Sequence, residues 1–408
     1  MSVYLLATLD TKGVEAAFVR NRLRELGVDV VLVDTGCLGP APTIADIPRE
    51  EVFRAAGSSL DEIRSRKDRG VAVTMAATGA AELVARDFRE GRVQGVLGLG
   101  GSAGTTVGTA AMRRLPLGVP KVMVSTLASG QVRQYVADKD ILMLNSVVDI
   151  AGLNRISRVI LGEAAAAMAG MVKSLAVSEG ASDDRPLVAA TMFGVTTPCV
   201  QKAREILEHA GYEVLVFHAT GNGGQAMESL IADGLISGVL DLTTTELADE
   251  LVGGVLSAGP DRLNAAARAG VPQVVSVGAT DMVNFGPPET VPEKFRQRLF
   301  HQHNPSVTLM RTTADENRSM GEEIARKVSA SRGPAAIMLP LRGVSAIDGP
   351  GQPFDDPAAR EALFAAIREH RGATECDELD LHINDAGFAE AAAAKLLEFM
   401  ARTPGRRD

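Results

Sequence analysis

Short runs rich in Val, Ile and Leu alternate with helix-length segments along the whole chain, and the series is run through twice. In the first half the runs are Val3–Leu9, Val28–Asp34, Val71–Met75, Gly95–Leu99, Lys121–Ser125 and Ile141–Asn145. Strands separated by helices pair in parallel, so this half predicts a parallel sheet covered by helices. A long apolar helix pattern, Leu153–Val177, closes it, and the polar Ser178–Pro186 reads as a linker. The second half restarts with Leu187–Met192, Glu213–His218, Gly238–Leu242, Gln273–Val277, Val307–Arg311, Ala335–Leu339 and Leu379–Ile383.

The two halves match segment by segment. GVDVVLVDTG (Gly27–Gly36) pairs with GYEVLVFHAT (Gly211–Thr220), and GRVQGVLGLGGS (Gly91–Ser102) with GLISGVLDLTTT (Gly234–Thr245). Pro120–Thr126 then pairs with Pro272–Gly278, and Ile141–Val147 with Val307–Thr313, in the same order. A chain of 408 residues exceeds what one core supports. The expected fold is therefore α/β, with two Rossmann-like parallel-sheet domains related by internal duplication, at residues 1–180 and 187–408.

Charge and cysteine content narrow the function. A net charge of -9 supplies no basic footprint for nucleic acid or an anionic membrane. Cys37, Cys199 and Cys376 are odd in number and far apart, with neither a disulfide framework nor metal-ligand spacing. The N-terminus lacks a basic segment before its short apolar run, and no run reaches membrane-spanning length. A cytoplasmic protein with small-molecule partners is expected.

Open α/β sheets bind ligands beyond the carboxyl ends of their strands. In the first half those positions are small and glycine-rich. The segment Val96–Met112 runs from a strand through Gly98, Gly100, Gly101, Ser102, Gly104 and Thr105 into a helix. Glycines let the main chain approach a polyphosphate, and the helix start attracts its charge. Neither a Walker A lysine nor a full GxGxxG fingerprint is present. Asp10, Thr11 and Lys12 follow the first strand run, Thr78 and Gly79 follow the third, and Asp34 ends the second, where an acid commonly meets ribose hydroxyls. These residues are the candidate nucleotide contacts, with ATP as the expected cofactor and Mg²⁺ placed beside Asp10 or Asp34.

At equivalent strand ends the second half carries polar groups instead. Asp241 and Thr243–Glu246 stand where the glycine loop would be, and His218 stands where Asp34 does. Candidate catalytic residues for a small polar metabolite are His218, Asp241, Asp281, His301 and Arg311. His301 and His303 would share a face on a strand, and two readings stand: a metal grip with Asp281 or Glu246, or two solvated histidines. For Asp241, Asp281 and Asp348, acid/base chemistry competes with helix capping. Arg311 either clamps an anion or makes an ordinary ion pair.

Several long segments resemble the family of the ATP-binding domain of the plant tobamovirus-resistance protein. They include GLGGSAGT (Gly98–Thr105), TMFGVTTPCV (Thr191–Val200), VFHATGNGGQAME (Val216–Glu228), DLTTTELAD (Asp241–Asp249), SVGATDMVNFGP (Ser276–Pro287) and HQHNPSVTLMRTT (His301–Thr313). The resemblance covers essentially the whole chain. It implies two Rossmann-like domains, ATP in the N-terminal one, and a homodimer. Function classes left open are an ATP-dependent enzyme performing phosphoryl transfer or hydrolysis, a non-catalytic ATP-stabilised regulatory module, and a metal-dependent hydrolase.

Overall fold

A computed structural model describes residues 1–130, 132–175 and 185–403, and the chain divides into two compact units, residues 1–183 and 184–408. The linker expected at Ser178–Pro186 lies almost wholly outside the described residues. Among these residues no helix is long and apolar enough to cross a membrane.

Unit 1 is built on five parallel strands: β1 (Ser2–Ala7), β2 (Val30–Asp34), β3 (Val93–Gly100), β4 (Lys121–Ser125) and β5 (Leu142–Asn145), in the order β2-β1-β3-β4-β5. Side chains alternate across a strand, so β1 feeds two cores at once. Val3, Leu5 and Ala7 pack with Ala16, Val19 and Leu23 of the helix Leu9–Glu25 and with Leu161 and Met168 of the helix Arg155–Leu175. Tyr4 and Leu6 face the helices Arg69–Arg89 and Ser102–Met112 on the other side. Each fully buried Val or Leu contributes about 1.5–3 kcal/mol, which is why the runs are apolar on both faces.

Val71–Met75, expected to be a strand, lies instead in the helix Arg69–Arg89. Ala72, Ala76, Ala80 and Leu83 are buried at a spacing of one helical turn, and the Asp68 carboxylate caps the helix by accepting from the Val71 amide at 3.0 Å. Helical periodicity and the cap outweigh the local β-branched content. Gly79 is then a packing residue, since a Cβ there would sit 1.9 Å from the Val52 carbonyl oxygen. Gly79→Ala is expected to cost about 1–3 kcal/mol, read as a lowered thermal midpoint.

Unit 2 contains β6 (Leu187–Met192), β7 (Glu213–His218), β8 (Gly238–Thr243), β9 (Gln273–Gly278), β10 (Met282–Phe285), β11 (Phe300–Asn304), β12 (Val307–Arg311), β13 (Ala335–Pro340) and β14 (Glu375–Leu379). Its main sheet is parallel, ordered β7-β6-β8-β9-β13-β14, so its first five positions repeat the order of unit 1. Three of the four matched segment pairs fall on equivalent strands. The fourth does not: β12 belongs to a separate antiparallel sheet, β10-β12-β11, and β13 takes the place of β5. An apolar run identifies a strand but not the direction of its neighbours, which is why that match misled. The last strand is Glu375–Leu379, not the expected Leu379–Ile383: the two share only Leu379, beyond which a tight turn bonds the Leu381 amide to the Leu379 carbonyl at 2.7 Å.

Candidate functional site

In unit 1 the strand order reverses between β1 and β3, and a cavity of about 610 Å³ opens beyond the carboxyl ends of these strands. That is the switch point at which doubly wound sheets hold ligands, and the volume suits a small molecule. Three helices begin at its wall. Asp10, Thr11 and Lys12 come from the first turn of Leu9–Glu25, Arg69, Ala72 and Val73 from the start of Arg69–Arg89, and Ser102, Ala103 and Gly104 from the start of Ser102–Met112. A helix start favours an anion; of these three, Arg69–Arg89 is already capped by Asp68 and the Leu9 amide by Asp34, which leaves the start of Ser102–Met112 without a side-chain cap.

The glycines of the loop have separate jobs. A Cβ at Gly100 would lie 2.6 Å from the Gly104 Cα, and one at Gly104 would lie 2.8 Å from the Leu99 carbonyl oxygen. These two let the helix start fold back on β3. Gly101 is the N-cap, no side chain caps the helix, and the first backbone bond runs from the Thr105 amide to the Gly101 carbonyl at 2.8 Å. The amides of Ser102, Ala103 and Gly104 precede that bond and are the donors a helix start leaves over. Thr105, expected as a hydroxyl donor to phosphate, points elsewhere: it is fully buried, with its Oγ1 2.6 Å from the Ser125 hydroxyl.

Asp34 is not the ribose acceptor expected from its position. It lies outside the cavity lining, accepts from the amides of Leu9 (3.0 Å) and Gly36 (2.9 Å), and pairs with Arg49 at 2.6 Å. A buried carboxylate demands such compensation, and Arg49 supplies it. Asp10 is similarly engaged, its side chain 3% exposed, accepting from the Leu38 amide at 2.8 Å with Arg49 3.8 Å away. These carboxylates hold the loop after β2 in place, and so they do not fit the Mg²⁺ role expected of them. Thr78 and Gly79 also lie away from the cavity: the Thr78 hydroxyl donates to the Thr74 carbonyl at 3.0 Å within its helix.

The second unit uses its polar residues as internal ties. Asp241 is 1% exposed; it receives Arg262 through both oxygens and the Thr191 hydroxyl at 2.7 Å. Glu246 accepts from Arg262 and from the Gly221 amide, each at 2.7 Å. Asp241 therefore balances a buried cation and is not placed for acid/base work on a ligand. Arg311 donates to the Phe354 carbonyl and the Thr312 hydroxyl, each at 2.8 Å, and approaches Asp348 at 3.4 Å, so the ordinary ion-pair reading holds. Asp281 is fully buried and accepts from the Ser345 hydroxyl at 2.8 Å. His301 packs edge-on to Phe354, His303 lies exposed on β11, and His218 is exposed at the end of β7 with its ring 5.5 Å from Phe193. Among the described residues no group of three or more His, Cys, Asp or Glu is arranged to hold a metal ion, so the grip imagined for His301 and His303 is not assembled.

Residues 1–176 match the N-terminal domain, and residues 185–400 the C-terminal domain, of the uncharacterised protein family UPF0261. The chain belongs to that family. It is 49% identical over 400 residues to a UPF0261 protein of Clostridium tetani, covering 98% of each chain. It is 50% identical to a UPF0261 protein of Rhizobium meliloti, over 96% of this chain and 97% of the relative. It is also 41% identical to the ToMV resistance protein Tm-1(GCR237) of Solanum lycopersicum, with 97% of this chain spanning 55% of the plant protein.

In this UPF0261 chain the sequence reading missed one whole wall of the cavity. Ile63, Arg64, Lys67, Asp68 and Arg69 line it, together with Ala72, Val73 and Ala76. A strand assigned to Val71–Met75 would have carried them away. The visible signal was the charged run Arg64–Arg69 with Asp68 as an N-cap. Lys12, Lys67 and Arg69 have no carboxylate partner among the ion pairs of the described residues, whereas Arg64 donates to the Cys37 and Leu38 carbonyls.

Unit 2 of this UPF0261 chain carries a pH signature. Burial pushes the Asp249 carboxyl up to about 7, against hydrogen bonds from Asn284 and Leu256 that pull it down. Burial and then the charge of Asp348 also raise Asp281. In the unfolded chain such groups lose their proton near pH 4 (roughly 3.9). Between about pH 4 and 7 the folded state therefore binds more protons, and this contribution to stability falls as pH rises. Wild type is expected to lose more of its denaturant midpoint between pH 5.5 and 8 than Asp249→Asn does. Equal losses would contradict it.

Proposed function

We propose that unit 1 is an ATP-binding module, with the polyphosphate seated on the amides of Ser102, Ala103 and Gly104 and the base against the apolar wall of Ile63, Ala72, Val73 and Ala76. The observation that carries this reading is the uncapped, glycine-started helix at the switch point, in a cavity also lined by the cations Lys12, Lys67 and Arg69. A polyphosphate there meets the amides of Ser102, Ala103 and Gly104 and the charges of Lys12, Lys67 and Arg69, which have no carboxylate partner among the described residues. Asp10 and Asp34, the carboxylates expected to carry Mg²⁺, are engaged within the protein, and the other lining carboxylate, Asp68, is flanked by Lys67 and Arg69. For that reason ATP is assigned as a bound ligand that stabilises and regulates the protein, in preference to a substrate of phosphoryl transfer.

Titration calorimetry of the full chain tests this with ATP, ADP, AMP, adenosine and NAD. Affinity is expected to fall in the order ATP, ADP, AMP as charge is removed. No heat with ATP, or equal affinity for adenosine, overturns the reading. A cytoplasmic location and the homodimer implied by the resemblance go with the same proposal. Light scattering with and without ATP tests the dimer. The tomato resistance protein and its susceptible counterpart are 41% and 40% identical to this chain, so likeness to the pair does not favour an antiviral role.

A further inference from the structure

We propose that Asp68 recognises the ribose hydroxyls of the nucleotide bound in unit 1, an inference that rests on the ATP reading above and adds a specificity determinant to it. Two carboxylates line the cavity, Asp10 and Asp68. Asp10 is turned into the protein, 3% exposed and bonded to the Leu38 amide. Asp68 is exposed and uses only Oδ1 within the protein, accepting from the Val71 amide at 3.0 Å. Its Oδ2 has no hydrogen-bond or ion-pair partner in the protein among the described residues.

An ionised carboxylate is purely an acceptor, so a ligand must bring it a donor. Phosphates bring none and repel it. The place of Asp68 in the wall selects among the remaining parts of the nucleotide. Lys67 and Arg69 flank it, and the apolar lining residues Ala72, Val73 and Ala76 begin one turn further along the same helix. Asp68 thus sits inside the charged stretch, one residue before Arg69 and about one turn before the apolar stretch of its helix. In a nucleotide the group that joins phosphate to base is the ribose, which carries two hydroxyl donors. Asp34, the acid that sequence position would assign to this task, is consumed by Arg49 and two amides.

The test uses the full chain and calorimetry with ATP, 2′-deoxy-ATP, 3′-deoxy-ATP and inosine triphosphate. A hydrogen bond to a charged acceptor is worth roughly tenfold or more in affinity, so at least one deoxy analogue is expected to bind roughly tenfold more weakly than ATP. Asp68→Asn is expected to abolish that difference while keeping the helix cap, because Asn caps as well as Asp. Circular dichroism verifies that the variant is folded. Equal binding of ATP and both deoxy analogues by wild type overturns the inference and leaves the ATP reading standing. Discrimination that survives in Asp68→Asn also overturns it. A loss seen only with inosine triphosphate would make the base amine the group being met, and the inference would fall. If wild type binds none of the four, both the inference and the ATP reading fall.

Discussion

Gly101→Asp is expected to abolish nucleotide binding while leaving unit 1 folded and no less stable. Gly101 is the N-cap of Ser102–Met112 with ordinary extended backbone, and the nearest atom to a Cβ there is the Thr126 hydroxyl at 3.5 Å. An aspartate fits, and at the N-cap its carboxylate accepts from the amides two and three residues on, those of Ala103 and Gly104. Those are the amides assigned to the polyphosphate. The variant supplies the helix with its own anion: the cap and the loss of glycine freedom in the unfolded chain are together worth roughly 0.5–1 kcal/mol of added stability. Nucleotide then meets a filled cradle and a like charge, and an affinity loss of at least about 100-fold is expected. Opposite signs for stability and binding separate this outcome from simple misfolding. A Gly101→Asp protein that bound ATP normally would remove the helix start from the site.

Arg262→Met is expected to unfold unit 2 or bring it to the edge of stability. Arg262 is fully buried and ties Asp241 and Glu246, with Glu228 at 3.4 Å. Methionine fills much of the volume but leaves Asp241 and Glu246 as buried carboxylates with no cation. Breaking a buried pair from one side costs about 3–5 kcal/mol, comparable to the whole stability of many domains. Adding Asp241→Asn and Glu246→Gln to Arg262→Met removes the stranded charges and is expected to recover a large part of the loss, measured by denaturant unfolding. If Arg262→Met alone unfolds at the wild-type midpoint, the network is not holding the β8 end together.

The sheet of unit 1 was legible because its strands β1–β4 are largely buried on both faces and stand out as continuous apolar runs. The glycine loop was legible for a related reason: strand, glycines and helix follow one another locally. Val71–Met75 was misread because Val and Thr there mimic a strand over five positions, while the alanines that reveal the helix are spread over Ala72–Ala80. The partners that disqualify Asp34 and Asp241 were invisible. Arg49 and Arg262 lie 15 and 21 residues away in sequence, and only the closed fold brings each guanidinium onto its carboxylate. Polar residues at strand ends therefore look alike in sequence whether they serve a ligand or a buried ion pair. The start of Ser102–Met112 in unit 1 leaves its first amides free, whereas at the equivalent helix start of unit 2, Glu246–Val252, the Leu247 and Ala248 amides turn onto the Thr244 and Thr245 carbonyls, each at 3.0 Å.

Amide NMR of the full chain, titrated with inorganic triphosphate, tests the central claim most directly because it reads the backbone donors themselves. The amides of Ser102, Ala103 and Gly104 are expected to shift together and saturate, with the same residues shifting under ATP and silent in Gly101→Asp. Triphosphate that binds while those three resonances stay where they are would contradict the account.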